Sequence, residues 1–298
     1  MSRDGPPRVG RDAGLPPGYI RTRSPGGSWV VRPECAEAVE RGEADRLLAG
    51  RGRRDKRPGT GRGGLVVFTL AGESAIGKRA LHGGVAGRLL GGIYLGPGRV
   101  LAQVEAAHRL DRAGVPTPEV LAVGWRRALF VFTVQAIVTR AIPGAENLYE
   151  AARQDSPWRR RRAILARSAE LVRSMHEAGF LHADLNVTNL VLGSGPGGDQ
   201  LHVVDLEKGR FVRLVSPSDR FSNLARLLRS YEKWIRGRSS LGPRDELFFL
   251  ERYCRSDRAL LRDLLGRLRR HRSGRLRVRV GPKPHAAPAG SGAGLSQQ

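Results

Sequence analysis

The chain has 298 residues, 40% of them apolar and 6% aromatic, enough for one large or two modest soluble domains. Its formal charge of +24 is carried by 47 Arg against 5 Lys, a bias that fits either a polyanionic partner or coding preference for arginine. Two distant cysteines, Cys35 and Cys254, form no zinc spacing or disulfide framework, no run reaches the roughly 18 apolar residues of a membrane span, and MSRDGPPRVGRDAG lacks a signal peptide's apolar core. A reducing, cytoplasmic setting follows, with any membrane association peripheral.

In chain order, residues 1–58 are Gly-, Pro- and Arg-rich and are expected to form a basic, partly disordered extension. Within it CAEAVERGEADRLLAG, 35–50, can form a short helix. The stretch PGTGRGG then leads into LVVFTL and AIGKRAL, which read as strand, turn, strand. Gly61 and Gly63 suit either close backbone approach to a phosphate or a plain linker. Lys78 closes AIGK in a chain that otherwise uses arginine. After the glycine-rich 82–92, Val100, Val104, Ala107 and Leu110 recur at helical spacing, with Gly114 placed as the stop. Glu105 is the acid in that helix's central turns. EVLAVG and ALFVFTVQAIVTRAI predict two antiparallel strands with a turn at Trp125–Arg127, ended by Pro143 and Gly144. A hinge between two lobes is expected there, with an adenine ring bonding to backbone near Arg140–Ile142. A helix over 159–178, begun by Ser156 and Pro157 and ended by Gly179, delivers the chain to His182.

Residues 182–189 read HADLNVTN, and VVDLEKG follows at 203–209. The pattern His-x-Asp-Leu-x-x-x-Asn puts a carboxylate and a carboxamide on one loop, with a second carboxylate about twenty residues later. In protein-kinase-like enzymes such an arrangement makes the first Asp the acceptor of the hydroxyl proton and gives Mg²⁺ to the Asn and the second Asp. On that pattern Asp184 is the base, Asn189 and Asp205 bind the metal, and Lys78, held by Glu105, contacts the phosphates of ATP beside Gly61 and Gly63. His182 is expected to brace the loop. The fold expected is α+β, a two-lobed protein-kinase-like architecture with a β-rich N-lobe at 59–142 and a helical C-lobe at 143–272. Residues 273–298 read as a disordered tail.

GRG at 61–63, AGVPTPEVLAVG, TRAIPGAENL, HADLNVTNLVL, VVDLEKGR and NLARLLRSYEKW together resemble the lipopolysaccharide kinases, in particular those acting on 3-deoxy-D-manno-octulosonic acid (Kdo). The resemblance spans about Gly61 to Trp234. It implies ATP and Mg²⁺ as cofactors, transfer to a sugar hydroxyl of lipid A-linked core saccharide, and work at an anionic membrane surface on the cytoplasmic face of the inner membrane. It implies no nucleic-acid partner. The chain departs from the family in ALH at 80–82, before the Gly-Gly pair, and in Glu207, where an Asp is usual. Two other readings stay open: a kinase of a soluble small-molecule hydroxyl, and a basic nucleic-acid-binding pseudokinase.

Overall fold

The computed structural model describes residues 14–50, 65–80, 93–151, 157–195, 198–234 and 242–280. Gly61, Gly63 and the glycine-rich 82–92 lie outside them. The β-rich part is a seven-stranded antiparallel sheet, built from β1 (Ile20–Ser24), β2 (Gly27–Val31), β3 (Val66–Leu70), β4 (Glu73–Arg79), β5 (Ile93–Leu95), β6 (Val120–Leu129) and β7 (Phe132–Arg140). Its order is β1-β2-β6-β7-β4-β3, with β5 pairing β7. Alternating side chains serve two cores, as a pleated strand requires. Trp29 and Val31 enter one cluster, under α1 (Ala36–Glu40) and α2 (Asp45–Leu48), while Val30 enters another, under α3 (Gly98–Arg112).

Three expectations are corrected here. The first concerns residues 20–48, taken with the extension at 1–58: they form β1, β2, α1 and α2, and β2 hydrogen-bonds β6 over Ser28–Val31. The 16-residue segment expected as one helix splits in two because Gly42 takes φ +84 between them. The second is the turn at Trp125–Arg127. These residues instead pair with Gln135–Thr133, and the hairpin reverses at Phe130 and Val131. The third is the tail boundary, since α8 (Arg258–Val280) runs past residue 273. Residues 281–298 lie outside the described part.

The helical part is built on α5 (Trp158–Glu177), packed by α6 (Pro217–Trp234), α7 (Pro243–Cys254) and α8, with the short α4 (Leu148–Ala151) near the crossing between lobes. Gly114 and Gly179 follow α3 and α5 with φ +70 and +78, the left-handed stop anticipated for both. A small sheet of β8 (Glu146–Asn147), β10 (Leu190–Gly195) and β11 (Gly198–Val203) lies beside the HADLNVTN segment. One buried cluster runs through both parts, from Val104 and Val123 to Met175, Leu185 and Tyr253. The two-lobed fold is as expected.

Candidate active site

Short pairing fixes both ends of the segment that carries the motif: β9 (Phe180–Leu181) pairs with β12 (Arg210–Phe211). Just inside that clamp His182 is 1% exposed. Its Nε2–H donates to the Val204 carbonyl at 2.9 Å, and its Nδ1 accepts the Asp184 N–H at 3.1 Å. A carbonyl only accepts and an amide N–H only donates, so the ring is the neutral Nε2–H tautomer. Burial lowers its pKa below the ordinary histidine value, which keeps that state. One imidazole thus ties Asp184 to the residue before Asp205, the bracing role expected of it.

Asn189 is 7% exposed. Its Nδ2 donates to the Asp184 carbonyl at 2.9 Å, and its own carbonyl accepts the Val204 N–H at 3.0 Å. With the amide nitrogen committed inward, the Oδ1 atom is the end of Asn189 suited to a cation. Asp205 adopts φ 61 and ψ 56, a left-handed conformation that Asp tolerates better than most residues. Its carboxylate meets Lys78 Nζ at 2.9 Å, both groups roughly a third exposed. Lys78 reaches that point from β4, where it pairs with Ile137 in β7.

Lys78, Gln103, Asp184, Asn189 and Asp205 line one cleft of about 290 Å³ between the lobes. Ile76, Val120 and Ile137 give it an apolar wall of the kind that seats a planar base. At the hinge the N–H groups of Arg140 and Ala141 are given to the Glu119 and Ser74 carbonyls, so these two donors are not open to an adenine. Another cavity, about 130 Å³ and mainly apolar, lies among the C-lobe helices and is lined by none of the predicted site residues.

Glu105 does not join the site. It is exposed, whereas Gln103 is 7% exposed and faces the cleft. At 3.6 residues per turn two positions differ by about 200° around a helix, so the two cannot share a face. Lys78 therefore pairs with Asp205 and not with an acid of α3. What α3 does supply is Arg99, whose Nε lies 2.7 Å from Glu207 Oε1 and whose guanidinium stacks on Tyr94. That pair, missed from sequence, anchors the turn just past Asp205 to the start of α3. Gln103 was discoverable in principle, since it shares the helix phase of Val100 and Ala107.

Oxygen ligands that keep open positions for phosphate and water are what Mg²⁺ prefers, and Asn189 Oδ1 with the Asp205 carboxylate answers that description. No cluster of three His, Cys, Asp or Glu that could hold a metal ion forms among the described residues.

The family model for the lipopolysaccharide kinase (Kdo/WaaP) family matches residues 60–253. The 3-deoxy-D-manno-octulosonic acid kinase of Stenotrophomonas maltophilia (strain R551-3) is 30% identical over 189 residues, covering 61% of this chain and 70% of that protein. Its namesake from Xanthomonas euvesicatoria pv. vesicatoria (strain 85-10) is 29% identical over 191 residues, covering 60% and 70%. A solved structure of WaaP in complex with acyl carrier protein superposes with a TM-score of 0.58 at 23% identity, over 83% of this chain and 98% of that one, a likeness of fold. The matched span holds Lys78, Asp184, Asn189 and Asp205, and the chain belongs to the lipopolysaccharide kinase (Kdo/WaaP) family, phosphotransferases that act on sugar hydroxyls.

Proposed function

We propose that this chain is an ATP-dependent kinase of an inner-core sugar hydroxyl, on Kdo or heptose, of lipid A-linked lipopolysaccharide. The observation that carries the reading is the convergence of Lys78, Asp184, Asn189 and Asp205 in one cleft with an apolar wall. The apolar wall takes the base, and Lys78 exchanges the Asp205 carboxylate for nucleotide phosphate. Asn189 and Asp205 would hold Mg²⁺, which when bound neutralises phosphate charge. The Asp184 carboxylate takes the proton of the acceptor hydroxyl as its oxygen bonds to the γ-phosphorus and the bond to the β-phosphate oxygen breaks, releasing ADP. His182 and Asn189 fix the backbone of Asp184, so catalysis rests on position and charge. Among the described residues no helix is long and apolar enough to cross a membrane. The reading places the work peripherally at the cytoplasmic face of the inner membrane, where the +24 charge favours anionic lipid.

The test is incubation of the full chain with labelled ATP, Mg²⁺ and Kdo-lipid A precursor, with mass analysis of the product and a parallel arm of soluble sugars and aminoglycosides. Because the solved relative was captured with acyl carrier protein, that protein is added in a further arm. Phosphorylation of the lipid-linked saccharide is expected. Asp184→Asn and Asp205→Asn should each lower turnover by on the order of 10²–10⁴ while leaving thermal unfolding unchanged. Full turnover in either variant, or transfer confined to soluble acceptors, refutes the reading.

A further inference from the structure

The tip of the β6–β7 hairpin is apolar where the fold has no use for it. Leu129 pairs with Phe132, leaving Phe130 and Val131 to make the turn. Phe130 is 84% exposed, Val131 61% and Phe132 40%, and Leu95, which pairs with Phe132 from β5, is 75% exposed. Phe130 also sits at φ +44, a conformation costly for a bulky side chain and usual for glycine or asparagine at a hairpin turn. Its residue type therefore suits neither its backbone nor water. Strain and exposure at one spot are a common mark of a functional surface.

Charge indicates what the surface meets. Arg126 and Arg127 are exposed and stand opposite Val134 and Thr133. Neighbours in a strand point to opposite faces, so the ribbon carries an arginine on each side. Residues 120–145 contain no acid. These arginines lie three and four residues behind Phe130, roughly 10–13 Å at about 3.3 Å per residue. An apolar tip sunk ~5–10 Å into a bilayer would bring them to the depth of the lipid phosphates. A convex tip with a collar of one sign, and no acid to fix a register, fits a deformable anionic surface better than a shaped protein groove.

We propose that the β6–β7 tip, with Leu95, is the segment by which this chain enters an anionic bilayer; this rests on the lipid-linked acceptor proposed above. The tip is wired to the site. The Gly96 N–H donates to the Val131 carbonyl at 3.0 Å, and the Gly96 carbonyl accepts from Thr133 Oγ1 at 2.9 Å and from Gln135 Nε2 at 2.6 Å. Gly96 lies two residues before α3, whose Arg99 grips Glu207, two residues past Asp205. A docked tip thereby sets the orientation of the cleft relative to the membrane plane.

The experiment is co-sedimentation of the full chain with vesicles of phosphatidylcholine alone or with a quarter phosphatidylglycerol. Wild type, Phe130→Ser/Val131→Ser and Arg126→Gln/Arg127→Gln are compared, with thermal unfolding as a control. The expected results are preference for anionic vesicles by wild type, at least about tenfold weaker binding in the apolar double variant, and lost lipid preference in the arginine double variant. Phe130→Trp should show a blue-shifted emission on adding anionic vesicles. The apolar variant should keep the wild-type rate on a delipidated core oligosaccharide and lose at least about tenfold on acceptor embedded in vesicles. Equal vesicle binding by wild type and the apolar variant, or an unshifted emission from Phe130→Trp, overturns the proposal and points to a protein partner at the tip. If wild type phosphorylates neither acceptor but binds vesicles through the tip, the kinase reading fails while the membrane surface stands.

Discussion

His176, on α5, stands at the centre of a buried network, and its protonation should control stability in acid. Its Nδ1 is 2.7 Å from Tyr253 Oη and its Nε2 is 3.2 Å from Asn223 Oδ1. Arg220 Nη1 donates to Tyr253 Oη, and the His182 N–H donates to Asn223 Oδ1. The tyrosine hydroxyl therefore gives its proton to Nδ1 while Nε2–H donates to Asn223, an arrangement only a neutral ring satisfies. Burial first, then the charge of Arg220, push the pKa from 6.5 down to about 4. In the unfolded chain the ring binds a proton at about pH 6.5, in the folded chain only near 4. The stabilisation is thus complete above pH 6.5 and is lost as pH falls from there towards 4, a change of about 3 kcal/mol at ~1.4 kcal/mol per pH unit. Urea denaturation of wild type and His176→Gln between pH 4 and 7.5 measures it. The wild-type advantage should shrink by about that amount across the window, whatever the carboxylates contribute to both proteins. An NMR titration of the His176 ring checks the same value in the unaltered chain. Parallel stability curves, or a ring that titrates near 6.5, would refute the reasoning.

The two polar residues of α3 should separate cleanly in a kinetic assay. Gln103→Ala removes an amide that faces Lys78's cleft and should lower kcat/KM for ATP by up to about tenfold, the worth of one hydrogen bond. Glu105→Ala, on the exposed face, should leave both constants within error, and the reverse pattern would restore Glu105 as the lysine's partner. Gly124→Ala should destabilise the chain by about 1–3 kcal/mol in calorimetry, since the new Cβ would lie 2.4 Å from the buried Trp29 ring. An unchanged melting temperature would show that β2 does not press on β6 as described.

That HADLNVTN and VVDLEKG would meet at one cleft was legible because their arrangement is local: each places its polar atoms through a few adjacent residues, and the helix ahead of them ends at a glycine. Lys78 was legible through its rarity among arginines. Glu105 misled because counting identifies an acid in the middle of a helix but not which side of that helix faces the cleft. The apolar stripe of α3 borders the cleft through Gln103 and Ala107, and the distinction lies in tertiary packing. The β6–β7 turn was misplaced for a related reason. WRR reads as polar turn chemistry, but three rungs of pairing with residues 133–135 outweigh the preference of those side chains, and the reversal moves to two apolar residues. Arg99 and Glu207 are 108 positions apart, a separation at which no spacing rule acts.

The seam between β2 and β6 joins residues on either side of the point where the family model starts. The family model begins to match at residue 60, yet Trp29, Val31, Leu47 and Leu48 share a buried cluster with Leu121, Ala122 and Val138 of the matched part. A fragment cut where the family model starts would leave the outer edge of β6 without a neighbour along Ala122–Trp125 and would bare the apolar face beneath it. An open edge of that kind recruits other chains. The segment ahead of the match thus covers the outer edge of β6, and a fragment meant to keep that edge paired has to include β2.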